Sequence, residues 1–171
     1  MKKKCPQVVI DCVKYAWHDI NIPYDWGGDS PILIFRDDFG PLSEAIRDEI
    51  VQMTGGYDCS GFVVELLKCG GVLREHEDYT AHGLMTEFWQ YKVDEPLPGC
   101  LAFKTANARA YHVGFVVSSV TLIHAAGGGS TCETVKAAYK LEAFIKPRPI
   151  FTGDNVIYID PFKPARGLQN Y

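Results

Sequence analysis

The chain has 171 residues, 47% of them apolar and 22% charged, with a formal net charge of −4. That size and balance describe a single globular domain spanning 1–171, able to bury roughly 70% of its unfolded surface. The charge leaves no electrostatic footprint for nucleic acid, and no apolar run approaches the ~20 residues of a membrane span, so neither nucleic-acid binding nor membrane insertion is expected.

Lys2, Lys3 and Lys4 imitate the start of an export signal, but Cys5-Pro6-Gln7-Val8-Val9-Ile10-Asp11 is too short and polar for its apolar core, and no small-residue cleavage site follows. The expectation is a protein made in the cytoplasm, with most of its six cysteines reduced. Residues 6–20 read as a helix, with Val8, Val9, Cys12, Val13, Ala16 and Trp17 in one apolar stripe, ended by Asn21-Ile22-Pro23. Pro23-Tyr24-Asp25-Trp26-Gly27-Gly28 is a loop. A helix over 43–53 has Ser43 as its candidate cap and stops at Gly55-Gly56.

A core helix runs from about Cys59 to Cys69, with Phe62, Val63, Leu66 and Leu67 on its apolar face and Gly70-Gly71 at its end. Thr80 to Tyr91 reads as a further helix, with Leu84, Phe88 and Tyr91 along one side. From Pro96 the pattern changes to short strands at 100–104, 112–118, 121–126, about 132–138 and 155–160. Helices first and strands afterwards give an α+β fold, N-terminal helices packed on a central antiparallel sheet. An irregular tail begins at about 161.

The chemistry concentrates on three residues. Asp58 is a plausible cap that puts Cys59 in a first helical turn, where unpaired N–H groups favour a thiolate and an oxyanion. A free thiol ionises near 8.5, so a reactive one needs help, and an imidazolium at His112 is the best candidate partner. His112 and His124 share a sheet face only if the hairpin loop between them holds an odd number of residues. A three-residue loop at Ser118-Ser119-Val120 pairs Gly114 with His124 and makes His112 its diagonal neighbour. A two-residue loop would put the histidines on opposite faces, and no glycine marks the left-handed position that a three-residue loop usually wants.

Pro-Tyr-Asp-Trp-Gly-Gly (23–28), Asp-Cys-Ser-Gly-Phe (58–62), Pro-Gly-x-Leu-x-Phe (98–103), His-Val-Gly (112–114) and Ile-His-Ala (123–125) occur in one order. Together they resemble the NlpC/P60 family of papain-like cysteine peptidases, over about residues 6–126. The resemblance implies Cys59 as nucleophile, His112 as general base and His124 as the residue that orients the base. It also implies Tyr24, Asp58 and Ser60 as substrate-binding positions, with no cofactor and no metal. The implied partner is a peptidoglycan stem peptide, cut at the γ-D-glutamyl–diaminopimelate bond. Cys100 stands where the family usually carries aspartate, a residue that holds the strand. Residues 29–57 form a longer insert than relatives carry, which bears on the substrate more than on the mechanism. Without a signal, delivery to the wall implies a non-Sec or phage-associated route.

Two rival readings remain on sequence alone: an amidase or acyltransferase using another acyl donor, and a non-catalytic phage-tail or structural component that retains the fold. Cys5, Cys12, Cys69, Cys100 and Cys132 read as small structural thiols. Cys69, His76 and His82 lack metal-ligand spacing, and Gly127-Gly128-Gly129 lacks a phosphate-loop lysine and reads as a flexible turn beside the site.

Overall fold

A computed structural model describes residues 5–30 and 56–167. The expected helix over 43–53 and most of the expected insert at 29–57 lie outside the described residues. Helix α1 covers Gln7–His18 and buries Val9, Cys12 and Ala16, which recur at helical spacing. Trp17, expected in that stripe, is exposed instead. Short strands β1 (Asp29–Ser30) and β2 (Gly56–Tyr57) pair with each other.

Helix α2 covers Cys59–Cys69 and buries Phe62, Val63, Val64, Leu66 and Leu67, a face broad enough for a helix set inside the fold. It packs on α1, where the Cys12 thiol donates to the Leu66 carbonyl at 3.4 Å. The segment read as one helix from Thr80 to Tyr91 is divided: α3 covers Ala81–Glu87, capped by Thr80, and a single 3₁₀ turn follows at Trp89–Tyr91.

Among the described residues the main sheet has six antiparallel strands: β3 (Lys92–Val93), β4 (Leu101–Ala106), β5 (Arg109–Val116), β6 (Thr121–Ala126), β7 (Phe144–Pro149) and β8 (Val156–Ile159). Across the sheet they run in the order β3-β8-β4-β5-β6-β7. Its two faces differ. Leu101, Phe103, Val113, Phe115 and Ile123 join the core built with α1 and α2. Cys100, Ala102, Val116 and Leu122 point the other way and pack with Phe151.

The stretch 132–138, expected as a strand, instead enters helix α4 over Val135–Leu141, and a 3₁₀ turn at Gly129–Thr131 precedes it. Thr134 decides this: its hydroxyl accepts from the Ala137 N–H at 3.1 Å and caps the helix, while Val135 and Ala138 face inward at helical spacing. The strand that the sequence hid is β7, which carries Pro147 and Pro149. Ile145 bonds outward, to Ile22 and Asn21, so the prolines two and four residues on face the same side, away from β6, where a missing N–H breaks no ladder bond. Residues 161–167, within the expected irregular tail, are turns held in place, with Phe162 buried and Arg166 bonding Asp160 and the Pro98 carbonyl.

Candidate active site

The six residues singled out from the sequence, Tyr24, Asp58, Cys59, Ser60, His112 and His124, all line one cavity of about 580 Å³. Its floor is made where β5 and β6 part. The two strands pair at Phe115↔Ile123 and Val116↔Leu122, and beyond that their residues border the cleft. Asp58, Cys59 and Ser60, at the N-terminus of α2, line the same cavity, and α2 packs on both strands.

Asp58 starts α2 in extended conformation, and one carboxylate oxygen accepts from Ser60 N at 2.8 Å, Gly61 N at 2.7 Å and Ser60 Oγ at 2.9 Å. The expected cap is therefore present, and it fixes Cys59 as the first residue of the helix. Ser60 is spent largely on holding Asp58. The Phe62 N–H bonds the Asp58 carbonyl, so the Cys59 N–H is the first-turn donor that Asp58 does not take.

The hairpin has the odd loop. Val117 N and Ser118 N both donate to the Thr121 carbonyl, at 3.0 and 3.1 Å, which leaves Ser118-Ser119-Val120 as the turn. No residue of that loop takes a left-handed conformation, so the missing glycine was no obstacle. The register carries Gly114 to a place beside His124, where an added Cβ would meet the His124 Cβ at 3.3 Å. His112 Nε2 then lies 2.7 Å from His124 Nδ1, with the rings edge to face.

The pair sits on the sheet face away from α1 and α2, because Lys104, opposite His112, shares the parity of Cys100 and Ala102. Cys59 lines the same cavity as the pair, and the Val113 N–H of β5 acts on its sulfur. A bulge precedes His112: Lys104 pairs with His112 but Thr105 with Ala110, which leaves Tyr111 unpaired. Such an extra residue re-aims the side chains beside it.

The electrostatics reverse one expectation. Burial, then the Asp58 carboxylate, push the Cys59 thiol up to about 11, and the N–H groups of Val113, Ser60 and Cys59 itself only partly offset this. Burial and Lys104 pull His112 down to about 4, and burial, His112 and the nearby cations pull His124 down to about 3. The resting site therefore holds a thiol and two neutral imidazoles, not the expected lowered-pKa thiolate beside an imidazolium. Tyr24 is buried, and burial followed by the charges of Cys59 and Asp58 drives its phenol above its ordinary range.

The cleft also holds residues that the sequence reading passed over. Trp26 lay inside a quoted motif, so its signal was available. Arg109 and Tyr111 needed the bulge, which no local pattern announces. His82, named with Cys69 and His76 in a dismissed metal set, lines the cleft, and its Nδ1 is buried with no hydrogen-bond partner. Among the described residues no three histidine, cysteine or acidic side chains group as metal ligands. Cys100 is buried and its sulfur accepts from Leu97 N at 3.3 Å, so it holds the turn into β4.

The sequence pattern described as the NlpC/P60 family matches residues 21–148. The chain belongs to the NlpC/P60 family. Its fold is shared with an NlpC/P60 family protein from Bacillus cereus at TM-score 0.55 and 16% identity, over 86% of this chain and 36% of that one. It is shared with the peptidoglycan hydrolase RipB from Mycobacterium tuberculosis at TM-score 0.55 and 18% identity, over 96% of this chain and 66% of that one. RipD from the same organism, described as a non-catalytic NlpC/p60 domain protein adapted to peptidoglycan binding, aligns at TM-score 0.53 and 12% identity, over 91% of this chain and 98% of that one. The chain thus spans between about a third and two-thirds of the first two relatives' length. No curated protein matches it by sequence. The α+β architecture expected from the sequence is the architecture of this family's structures.

Proposed function

We propose that the chain is a cysteine peptidase that hydrolyses an amide bond in bacterial peptidoglycan stem peptides, the γ-D-glutamyl–diaminopimelate bond being the expected one. The observation that carries this reading is the meeting of Cys59, at the head of α2, with the 2.7 Å His112–His124 pair in one cleft. Family membership and a peptidoglycan hydrolase among the structural neighbours support the substrate class.

The chemistry follows from the hydrogen bond between the rings. His112 can accept a proton from Cys59 only if its Nδ1 carries a lone pair, so its proton sits on Nε2 and donates to His124 Nδ1. Because both partners rest neutral, the sulfur loses its proton to His112 as it attacks the substrate carbonyl. His124 then stabilises the imidazolium as a hydrogen-bond acceptor. The Cys59 N–H is the donor available to the tetrahedral oxyanion. Collapse expels the amine, which takes the proton from His112, and leaves a thioester. Water, deprotonated by the same ring, attacks the thioester and frees the acid.

RipD raises a second reading, in which the cleft binds wall peptide without turnover. The complete Cys59–His112–His124 set in one cleavage-sized cleft favours catalysis. Mass spectrometry of purified muropeptides after incubation with the protein tests it. New fragments ending at D-glutamate and beginning at diaminopimelate are expected. Products carrying an added amine in place of water would indicate an acyltransferase, and intact muropeptides would overturn the proposal.

A further inference from the structure

The chain leaves β7 at one edge of the sheet and reaches β8 beyond β4, so residues 150–155 cross the face that carries the two histidines. Phe151 is the side chain this crossing sets down. It is 9% exposed and packs with Cys100, Ala102, Val116 and Leu122. Its ring centroid lies 5.7 Å from that of His112 and 5.4 Å from that of His124, edge to face with the latter. Its carbonyl is tied down by the Tyr158 hydroxyl, from β8. Lys104, the cross-strand partner of His112, places its ammonium over the Phe151 ring, 4.4 Å from the centroid.

A hydrogen bond between two neutral rings is weakened wherever water competes for either nitrogen, so the pair needs a dry cover. His124 has no other polar support: it is 8% exposed, and its Nε2 is buried without a partner. A bare carbon wall at that point keeps His124 neutral and thus an acceptor. Phe151 is that wall. Lys104 anchors it by resting on its face and adds positive charge beside both rings, which opposes their protonation.

We infer that Phe151 and Lys104 are positioning residues for the His112–His124 pair, the ring sealing the interimidazole hydrogen bond from water and the ammonium clamping that seal. The inference rests on the proposed function for its catalytic meaning, but the state of the two rings is measurable without substrate. Neither Phe151 nor Lys104 lines the cleft that holds Cys59. They act through the histidines.

The groups that bear on the pair are Lys104 from β4, Lys146 and Arg148 from β7, and Cys59 from α2. The experiment is a histidine-selective NMR titration of the whole chain and of Phe151→Ala, Phe151→Leu and Lys104→Met, together with kcat and KM on muropeptide. Phe151→Ala is expected to raise the titration midpoints of both histidines and to lower kcat about tenfold with KM little changed. Phe151→Leu, which keeps the wall apolar, should recover most of both effects. Lys104→Met should raise the His112 midpoint by about half a pH unit. Lys140→Met removes an exposed charge from α4 and should leave both midpoints in place.

If Phe151→Ala proves unfolded, Lys104→Met carries the test. Unmoved midpoints in Lys104→Met, or in a folded Phe151→Ala, overturn the inference. If the midpoints move as described while the parent protein cleaves no muropeptide, the failure belongs to the proposed function instead.

Discussion

Tyr24 and Gly127 approach so closely that a Cβ on the glycine would lie 2.3 Å from the tyrosine ring. Both line the cleft, and the turn after β6 is thereby pressed against a buried phenol. The glycine is needed for the space it leaves, since its φ is not among the left-handed ones. Gly127→Ala should displace the Tyr24 ring and lower kcat/KM on muropeptide by about tenfold or more, as a small misplacement in a reactive cleft does. Pairing it with Tyr24→Phe should give no further large loss, because both changes act on the same ring. Additive losses would mean that the contact is incidental.

Asp58 has two effects that substitution separates. Its carboxylate caps α2 and, as a charge, raises the Cys59 pKa. Asp58→Asn keeps an oxygen acceptor for Ser60 N and Gly61 N but removes the charge, so alkylation of Cys59 should reach its half-maximal rate at lower pH. Asp58→Ala removes the cap as well and should cost about 1 kcal/mol of stability. An alkylation profile in Asp58→Asn that stays put or moves to higher pH would contradict the electrostatic reading.

Resting neutrality makes its own prediction. With Cys59 pushed up to about 11 and His112 pulled down to about 4, alkylation of Cys59 by iodoacetamide should be slow at pH 7 and climb through the alkaline range. A rate already at its plateau near neutral pH would show a standing thiolate–imidazolium pair and would count against the general-base step.

The same histidines couple to folding. Their folded-state pKa values lie below the unfolded value of 6.5, so unfolding takes up protons. Their contribution is complete above pH 6.5 and is lost as the pH falls through about 4 and then about 3. Melting temperature should therefore fall between pH 6.5 and 4, and the double variant His112→Gln, His124→Gln should fall less steeply over that range. An equal slope in parent and variant would assign acid sensitivity elsewhere.

If His124 orients His112 and does not itself take the Cys59 proton, as proposed above, graded losses are expected at that position. His124→Asn and His124→Gln present an amide oxygen to His112 Nε2 and should keep more activity than His124→Ala, whereas His112→Asn should be nearly inactive. Equal loss for all three changes at position 124 would remove the orienting role.

How much of this was legible in the sequence depended on how local the cause was. Asp58 capping a helix that begins at Cys59 is decided within four residues, and it was readable. The facing of His112 and His124 follows from strand parity and one loop length, so arithmetic reached it. Residues 132–138 misled because Cys-Glu-Thr-Val alternates like a strand, while the Thr134 cap turns it into α4. Strand β7 was masked by Pro147 and Pro149, whose place on an edge strand only the assembled sheet supplies. The bulge at Tyr111, the parting of β5 and β6, and the arrival of Phe151 from across the sheet are tertiary events with no local signature. The environment of Cys59 divides in the same way: helix-end and imidazolium effects are visible in sequence, but the burial that raises its pKa is not.

The central claim is that Cys59 is the nucleophile of a peptidoglycan hydrolase. The most direct measurement is muropeptide turnover by Cys59→Ala beside the parent, with the melting temperature of each. The account predicts turnover lowered by at least about a thousandfold with a melting temperature close to the parent's, while Cys69→Ala, at the exposed far end of α2, keeps most of its activity. Substantial turnover by a folded Cys59→Ala protein would contradict it.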